Sequence, residues 1–324
     1  MTNTKIKTKP LYQVEYSIVV PVYNSGKSLK ELHSRLTGTF KQEAKPYEIL
    51  YIDDGSTDQS WDILCELSEA NNNICCFQLM RNYGQQNATM CGVHHAKGRY
   101  VITIDDDLQY RPEDIPLLIN EIKKGFDVVF GIQDTKKQKL WRQLLSFLFH
   151  IYYKLTFHYR GQVSSFRILS SDICLQLRSF GSSFVYINGI ITWYTTKISS
   201  LKIQHQARPH GKSGYNFKKL LSFFLNIAAT YSFFPFRTVS IVGMVLTLAG
   251  FILGLFSLIR YLAEGILNTA SGIFIPILFL YGFVFLFIGL AGEYIVRINL
   301  NFMDKPQYRI RNEYRVGQKD QESN

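Results

Sequence analysis

The chain has no CxxC pair and no cysteine–histidine cluster at zinc spacing. Its five cysteines, Cys65, Cys75, Cys76, Cys91 and Cys174, are scattered and odd in number. A structural zinc site has no residues to build on. The thiols read instead as small buried hydrophobes, kept reduced in a cytosol-facing domain. The opening segment "MTNTKIKTKPLYQVEY" has lysines but no apolar h-region. It is expected to be a short flexible arm, residues 1–15, rather than a secretory signal. There is no internal repeat and no low-complexity segment. Acid is in deficit, with 36 Lys+Arg against 25 Asp+Glu and a formal charge of +11. That balance suits nucleic acid, an anionic membrane surface or phosphorylated ligands without choosing among them. Aromatic content of 15% leans toward membrane contact.

A length of 324 residues allows one sizeable domain plus extra elements. The first part alternates strand and helix patterns. Residues 16–23 ("YSIVVPVY") form a buried-strand run, and Ser28-Leu-Lys-Glu31 reads as a capping box opening a helix toward Phe40. Residues 47–52 are a second strand ending in "DDGSTD", followed by a helix over 59–70 and a third strand over 74–80. Residues 87–97 read as a helix closed by Gly98 at the C′ position. The fourth strand is 101–104, a Pro-led helix spans 112–124 before Gly125, and a fifth strand spans 127–132. Strands separated by helices predict an α/β, Rossmann-like, mostly parallel sheet with helices on both faces, over residues 16–215. Ligands in such folds sit at the carboxyl ends of the strands.

The second part differs. Residues 238–259 are uncharged for 22 positions between Arg237 and Arg260, and 265–292 for 28 between Glu264 and Glu293. A helix crosses a hydrocarbon core of about 30 Å in about 20 residues. Transmembrane helices are therefore expected over 237–260 and 273–296, with a short external loop over 261–272. Lys212, Lys218, Lys219 and Arg237 precede the pair; Arg297, Lys305, Arg309, Arg311 and Arg315 follow it. The positive-inside rule puts the first part and both termini in the cytoplasm, with 297–324 a basic tail. Residues 216–236 carry Lys218, Ser222, Asn226 and Thr230 at i+4 spacing on an otherwise apolar helix. That stripe fits an amphipathic helix lying in the membrane interface. The paired spans also offer a surface for a homo-oligomer.

The chemistry-bearing residues gather at the predicted strand ends. "YVITIDDDLQY" closes the fourth strand with Asp105, Asp106 and Asp107. Crowded carboxylates raise one another's pKa unless solvated or joined by a cation. Continued alternation would put Asp105, Asp107 and Gln109 on one side and Asp106 on the other. Two carboxylates and a carboxamide oxygen suit a hard divalent cation, Mg²⁺ or Mn²⁺. Asp53 and Asp54 end the second strand, beside turn and capping residues. Pro21, Tyr23 and Asn24, in "VPVYN", supply a facing wall, and Arg81 in "RNYGQQ" adds a cation suited to a diphosphate. Together they outline a nucleotide-diphosphate site with a metal. "KLWRQLLSFLFHIYYKL", residues 139–155, interleaves aromatics with Arg142 and Lys154. An ordinary core helix with a charged face fits this stretch as well as an amphipathic element guiding a lipid phosphate. Such interleaving also occurs in nucleic-acid sites, but the adjacent spans favour lipid as the anion.

"VPVYN", "IDDGSTD", "RNYGQ", "DDDLQ", "RPHGKSGY" and "LAGEYIVRI" resemble the polyprenyl-phosphate glycosyltransferases of glycosyltransferase family 2. The resemblance runs from about Tyr16 to about Tyr308. It implies a GT-A fold and inverting transfer of a sugar from a nucleotide-diphosphate sugar to a polyprenyl phosphate such as undecaprenyl phosphate. The product would be a lipid-linked sugar for cell-envelope glycan modification at the inner membrane. By motif, Asp53 and Asp54 would hold base and ribose, and Asp105 and Asp107 the metal, with Gln109 beside them. Arg208 would close over the diphosphate, with Lys212 and Ser213 in the same loop, and Arg167 in "SSFRIL" would help bind the acceptor phosphate. Arg142 is a candidate for the same phosphate from its aromatic–basic stretch, not from a motif. Many relatives have Asp where Ser165 stands, so no catalytic base carries over to that position. Processive polysaccharide synthases of the superfamily have a Q-x-x-R-W motif and more spans, absent here. Nucleotidyltransferases place a glycine-rich loop where this chain has "PVYNSG". A non-catalytic nucleotide-sugar sensor would not need Asp105, Asp107, Gln109, Arg167 and Arg208 intact.

Overall fold

The computed structural model describes residues 12, 14–133, 159, 161–181, 185–204, 234–265, 269–302 and 307–315. The chain divides into two compact units: Met1–Leu145 with Tyr159–Ser213 and Asp304–Asn324, and Ser146–His158 with Gly214–Met303. Arg142, Arg208, Lys212 and Ser213, the aromatic–basic stretch 139–155 and most of the expected interfacial helix lie outside the described residues.

In the first unit, apolar β-branched runs form β1 (Val14–Val22), β2 (Tyr47–Asp53), β3 (Ile74–Leu79) and β4 (Gly98–Thr103). Such continuous runs are what a parallel sheet covered on both faces requires. Between them lie α1 (Gly26–Glu43), α2 (Ser60–Glu69) and α3 (Gln85–His95). After β4 come a 3₁₀ turn at Pro112–Asp114, α4 (Ile115–Ile122), β5 (Val128–Gln133), β6 (Arg167–Ser170), α5 (Ser171–Arg178), α6 (Ile187–Tyr194) and β7 (Ile198–Ile203). The second unit contributes α7 (Phe234–Glu264) and α8 (Thr269–Phe302), and the chain then adds β8 (Ile310–Arg315) to the first unit's sheet.

The strand order is β7-β5-β6-β4-β1-β2-β3-β8. The run β4-β1-β2-β3 is parallel, while β6 lies antiparallel between β4 and β5, and β8 antiparallel along β3. The expected mostly parallel sheet is present, with two reversals. Register aligns Val22 with Asp53, Val19 with Thr103, Asp53 with Gln78 and Thr103 with Arg167. The polar residues after β1, β2, β3 and β4, and the start of β6, therefore share one edge. Beneath them Ile18, Val20, Ile102, Ile104 and Phe166 belong to a fully buried core.

Two local expectations are corrected. Ser28 is not a helix cap: α1 begins at Gly26, and the Ser28 hydroxyl donates to the carbonyls of Ser25 (3.0 Å) and Asp106 (2.7 Å). Gly98 does not close α3. That helix ends in the extended residue Ala96, and Gly98 starts β4. A Cβ on Gly98 would sit 2.6 Å from the Ser17 nitrogen, so glycine is required by the neighbouring backbone.

In the second unit, Arg237–Ala263 and Gly272–Gly292 are long and apolar enough to cross a membrane, with mean hydropathies of 2.4 and 2.6. Large apolar side chains such as Phe251, Leu262, Phe274 and Phe287 face outward. Cβ atoms at Gly243 and Gly282 would collide with backbone of the opposite helix, so glycines set the close approach of the pair.

Candidate active site

The end of β1 turns sharply at Asn24, whose φ is 52°, a left-handed conformation asparagine tolerates. Its amide donates to the Ser56 hydroxyl (2.9 Å), and its Oδ1 accepts the Thr57 amide (2.8 Å). Asn24 thus ties the β1 turn to the β2–α2 loop. Tyr23 is exposed, whereas Pro21 is buried within β1, paired with Ile52.

Asp53 and Asp54 do not line open solvent. Both are buried. Asp53 Oδ1 accepts the Ser56 amide (3.2 Å), and its Oδ2 has no hydrogen-bond partner among the described residues. Asp54 accepts the amides of Tyr83 (2.7 Å) and Gly84 (2.8 Å), one on each oxygen. Burial pushes Asp54 up to about 6 despite those two bonds. Its geometry makes it the anchor of the loop after β3. Gly55 packs against the same loop: a Cβ there would lie 2.7 Å from the Arg81 carbonyl carbon. Arg81 itself is exposed, with its guanidinium 4.4 Å from the centre of the Tyr83 ring.

The acids after β4 do not alternate. The extended backbone stops at Thr103, residues 106–107 turn, and Leu108 takes a φ of 58°. That reversal buries the Leu108 side chain in the core. Sequence alternation therefore fails as the reason for grouping Gln109 with Asp105 and Asp107. Contacts separate the acids instead. Asp106 Oδ2 accepts the Tyr23 amide (3.1 Å), while Asp107 Oδ1 accepts the Gln109 amide (3.1 Å). Asp105 Oδ1 accepts from Gln85 Nε2 and its Oδ2 from Ser165 Oγ, both at 2.6 Å. Burial pushes Asp105 up to about 7; Asp107 and Asp106 add to the rise, and the Ser165 hydrogen bond and Arg167 oppose it. Burial also lifts Asp106 to about 6, against hydrogen bonds from Ser25 and Tyr23.

Arg167, at the start of β6, is almost fully buried and donates to the Asn188 side chain. The guanidinium thus acts on Asp105 as a nearby positive charge, and does not face solvent. Sequence reasoning missed Gln85 and Asn188 as partners in this site, and marked Ser165 only as the position where many relatives carry Asp. Gln85 stands in the "RNYGQQ" motif, directly after the glycine, and that position was the available signal. Asn188 is 21 residues from Arg167 and carried none.

Among the described residues, no group of three His, Cys, Asp or Glu converges on a metal position. A preformed cage is not needed: Mg²⁺ is usually held by one or two carboxylates plus substrate phosphates and water. Asp105 and Asp107 are two such carboxylates, and their oxygen donors suit a hard cation; burial first, then the charges of Asp107 and Asp106, raises Asp105. The donor set fits a hard divalent cation on that count.

The family profile described as glycosyl transferase family 2 matches residues 17–175. The undecaprenyl-phosphate 4-deoxy-4-formamido-L-arabinose transferase of Edwardsiella ictaluri is 33% identical over 321 residues, covering 94% of this chain and 96% of the relative. The protein of the same name from Salmonella paratyphi A is 33% identical over 303 residues, covering 91% and 92%. Among solved structures, a glucosyl-3-phosphoglycerate synthase from Mycobacterium tuberculosis, in complex with Mn²⁺, UDP-glucose and phosphoglyceric acid, superposes with a TM-score of 0.51. It covers 67% of this chain and 78% of its own at 14% identity, a likeness of fold.

Proposed function

The chain belongs to glycosyl transferase family 2, and from that membership we propose that it moves a sugar from a nucleotide-diphosphate sugar to undecaprenyl phosphate at a membrane. The product is a lipid-linked sugar for cell-envelope modification. One observation carries this reading: 33% identity over 94% of the chain, more than the catalytic unit alone, to relatives named for that acceptor. The catalytic unit and both termini are assigned to the cytoplasmic side, from the basic flanks of the two spans.

The nucleophile is a phosphate monoester, whose second pKa is about 6. Its oxygen bonds to the anomeric carbon of the sugar while the bond from that carbon to the donor diphosphate breaks. The electron pair departs on the nucleoside diphosphate, and attack from the opposite face inverts the carbon. The nucleophile needs no deprotonation, so a serine at position 165 is compatible with turnover. The barrier lies in bringing two anions together and stabilising the leaving group.

Asp105 and Asp107 would hold Mg²⁺ or Mn²⁺, with Gln109 beside them. Such a cation, when bound, supplies charge neutralisation at the diphosphate. Pro21, Tyr23, Asn24 and Asp53 frame the nucleoside, and Arg81 takes the diphosphate. Asp54 serves by holding the Tyr83–Gly84 turn. Arg167 adds positive potential for the acceptor phosphate, while Arg208, Lys212 and Ser213 are assigned to the phosphates by motif and Arg142 to the acceptor phosphate by the aromatic–basic stretch around it.

The test is a panel of radiolabelled nucleotide sugars, including one carrying 4-deoxy-4-formamido-arabinose, incubated with membranes and undecaprenyl phosphate. Label entering the organic phase identifies the donor and should vanish with EDTA. Asp107→Ala should lower transfer at least about a hundredfold while the protein stays folded in the membrane. No transfer from any donor would sink the reading.

A further inference from the structure

Both carboxylate oxygens of Asp105 are held by side chains from other elements. Gln85, the first residue of α3, donates Nε2 to Oδ1, and Ser165, in the loop before β6, donates Oγ to Oδ2, each at 2.6 Å. Each donor stands on braced backbone. The Ser165 carbonyl accepts the Thr103 hydroxyl, and the neighbouring Ser164 hydroxyl donates to the Gly131 (2.8 Å) and Phe166 (2.7 Å) carbonyls. The Phe166 ring is stacked on Tyr110, with centroids 5.2 Å apart. Gln85 follows the two amides pinned by Asp54, and its carbonyl accepts the Thr89 hydroxyl (2.8 Å).

We propose that Gln85 and Ser165 are positioning residues that fix the Asp105 carboxylate for the cation and the donor diphosphate. The assignment rests on the donor site proposed above. An aspartate at a loop tip has free side-chain torsions, and ordering them on binding weakens affinity. A clamp on both oxygens removes that cost in advance. Each oxygen accepting one hydrogen bond keeps a second lone-pair direction for a cation. Hydrogen-bond partners that orient a ligating carboxylate typically change metal affinity by about 10- to 100-fold. Ser165 is half-buried and Gln85 exposed, so Ser165 contributes more, because water competes less for its bond.

The experiment is a Mn²⁺ titration of the purified full-length protein in detergent with UDP present, read by the electron paramagnetic resonance of free Mn²⁺. Ser165→Ala should weaken Mn²⁺ binding about 10- to 100-fold and Gln85→Ala about tenfold. Ser165→Thr keeps the hydroxyl and should stay within about threefold of wild type. Gln85 is exposed, so its variant tests the clamp even if Ser165→Ala folds poorly. Wild-type protein that binds no Mn²⁺ overturns the metal reading and the clamp with it. Wild-type binding that Asp105→Ala abolishes, but Gln85→Ala and Ser165→Ala leave intact, overturns the clamp alone. Ser165→Thr as weak as Ser165→Ala overturns the hydroxyl's role.

Discussion

Asp106 directs its carboxylate to the Tyr23 amide, and its own carbonyl accepts the Ser28 hydroxyl. It joins the ends of β1 and β4 and so has a structural task beside two acids assigned to the cation. Asp106→Ala should therefore cost about 1–2 kcal/mol of stability, from a lost hydrogen bond to a charged acceptor. Asp106→Asn, which keeps an acceptor oxygen, should cost less, and both should retain far more transferase activity than Asp107→Ala. Thermal melts alongside the organic-phase assay separate the two effects; equal activity losses at Asp106 and Asp107 would contradict this division. Asp105 carries a pH signature. Its folded pKa of about 7 stands above the ordinary 3.8, so the native state holds the proton more tightly between those values. Its contribution to stability is then fully present below about 4 and is lost as pH rises toward about 7. In metal-free buffer, Asp105→Asn should gain several degrees on the wild type across that window and plateau above it. Mn²⁺ at pH near 8 should narrow the gap, and a gap that does not change with pH would be contrary.

At the scale of elements, glycine positions distinguish backbone contact from open space. Gly98 lies against the Tyr16–Ser17 backbone of β1, which cannot retreat without breaking the β1–β4 ladder. Gly98→Ala should destabilise by about 1–3 kcal/mol, as overpacking does. Gly38 is exposed within α1, and no atom lies within 4 Å of the place an alanine methyl would take. Gly38→Ala should instead stabilise by about 1 kcal/mol through helix propensity. Paired thermal melts check both signs. The loop after β3 follows the same logic: Gly84 has φ 90° and ψ 149°, a region essentially reserved for glycine, and that shape lets its amide meet Asp54.

At the scale of the molecule, the segment after the second apolar helix does more than carry charge. Residues 310–315, expected as part of a basic tail, complete the catalytic sheet as β8. Tyr314 donates to Glu69 (2.7 Å), Asn312 to Gln78 (2.9 Å), and Tyr308 meets His94 Nδ1 at 2.8 Å. Deleting 307–324 removes no proposed site residue, yet it uncovers the β3 edge. The truncated protein should melt lower and aggregate through that edge; an unchanged melt in detergent would refute a structural role for the strand. The sequence alone determined the α/β class, the two apolar spans, the strand ends that carry polar clusters and the family resemblance. These signals are local, because buried parallel strands read as continuous apolar runs and a membrane span reads as a length. Only the tertiary structure decided which acid faces what. The turn at Leu108 breaks the alternation, and Asp54 spends both oxygens on a loop 29 and 30 residues away. Gln85 and Ser165 reach Asp105 across separations of 20 and 60 residues, contacts set by strand order and register that no spacing along the chain encodes.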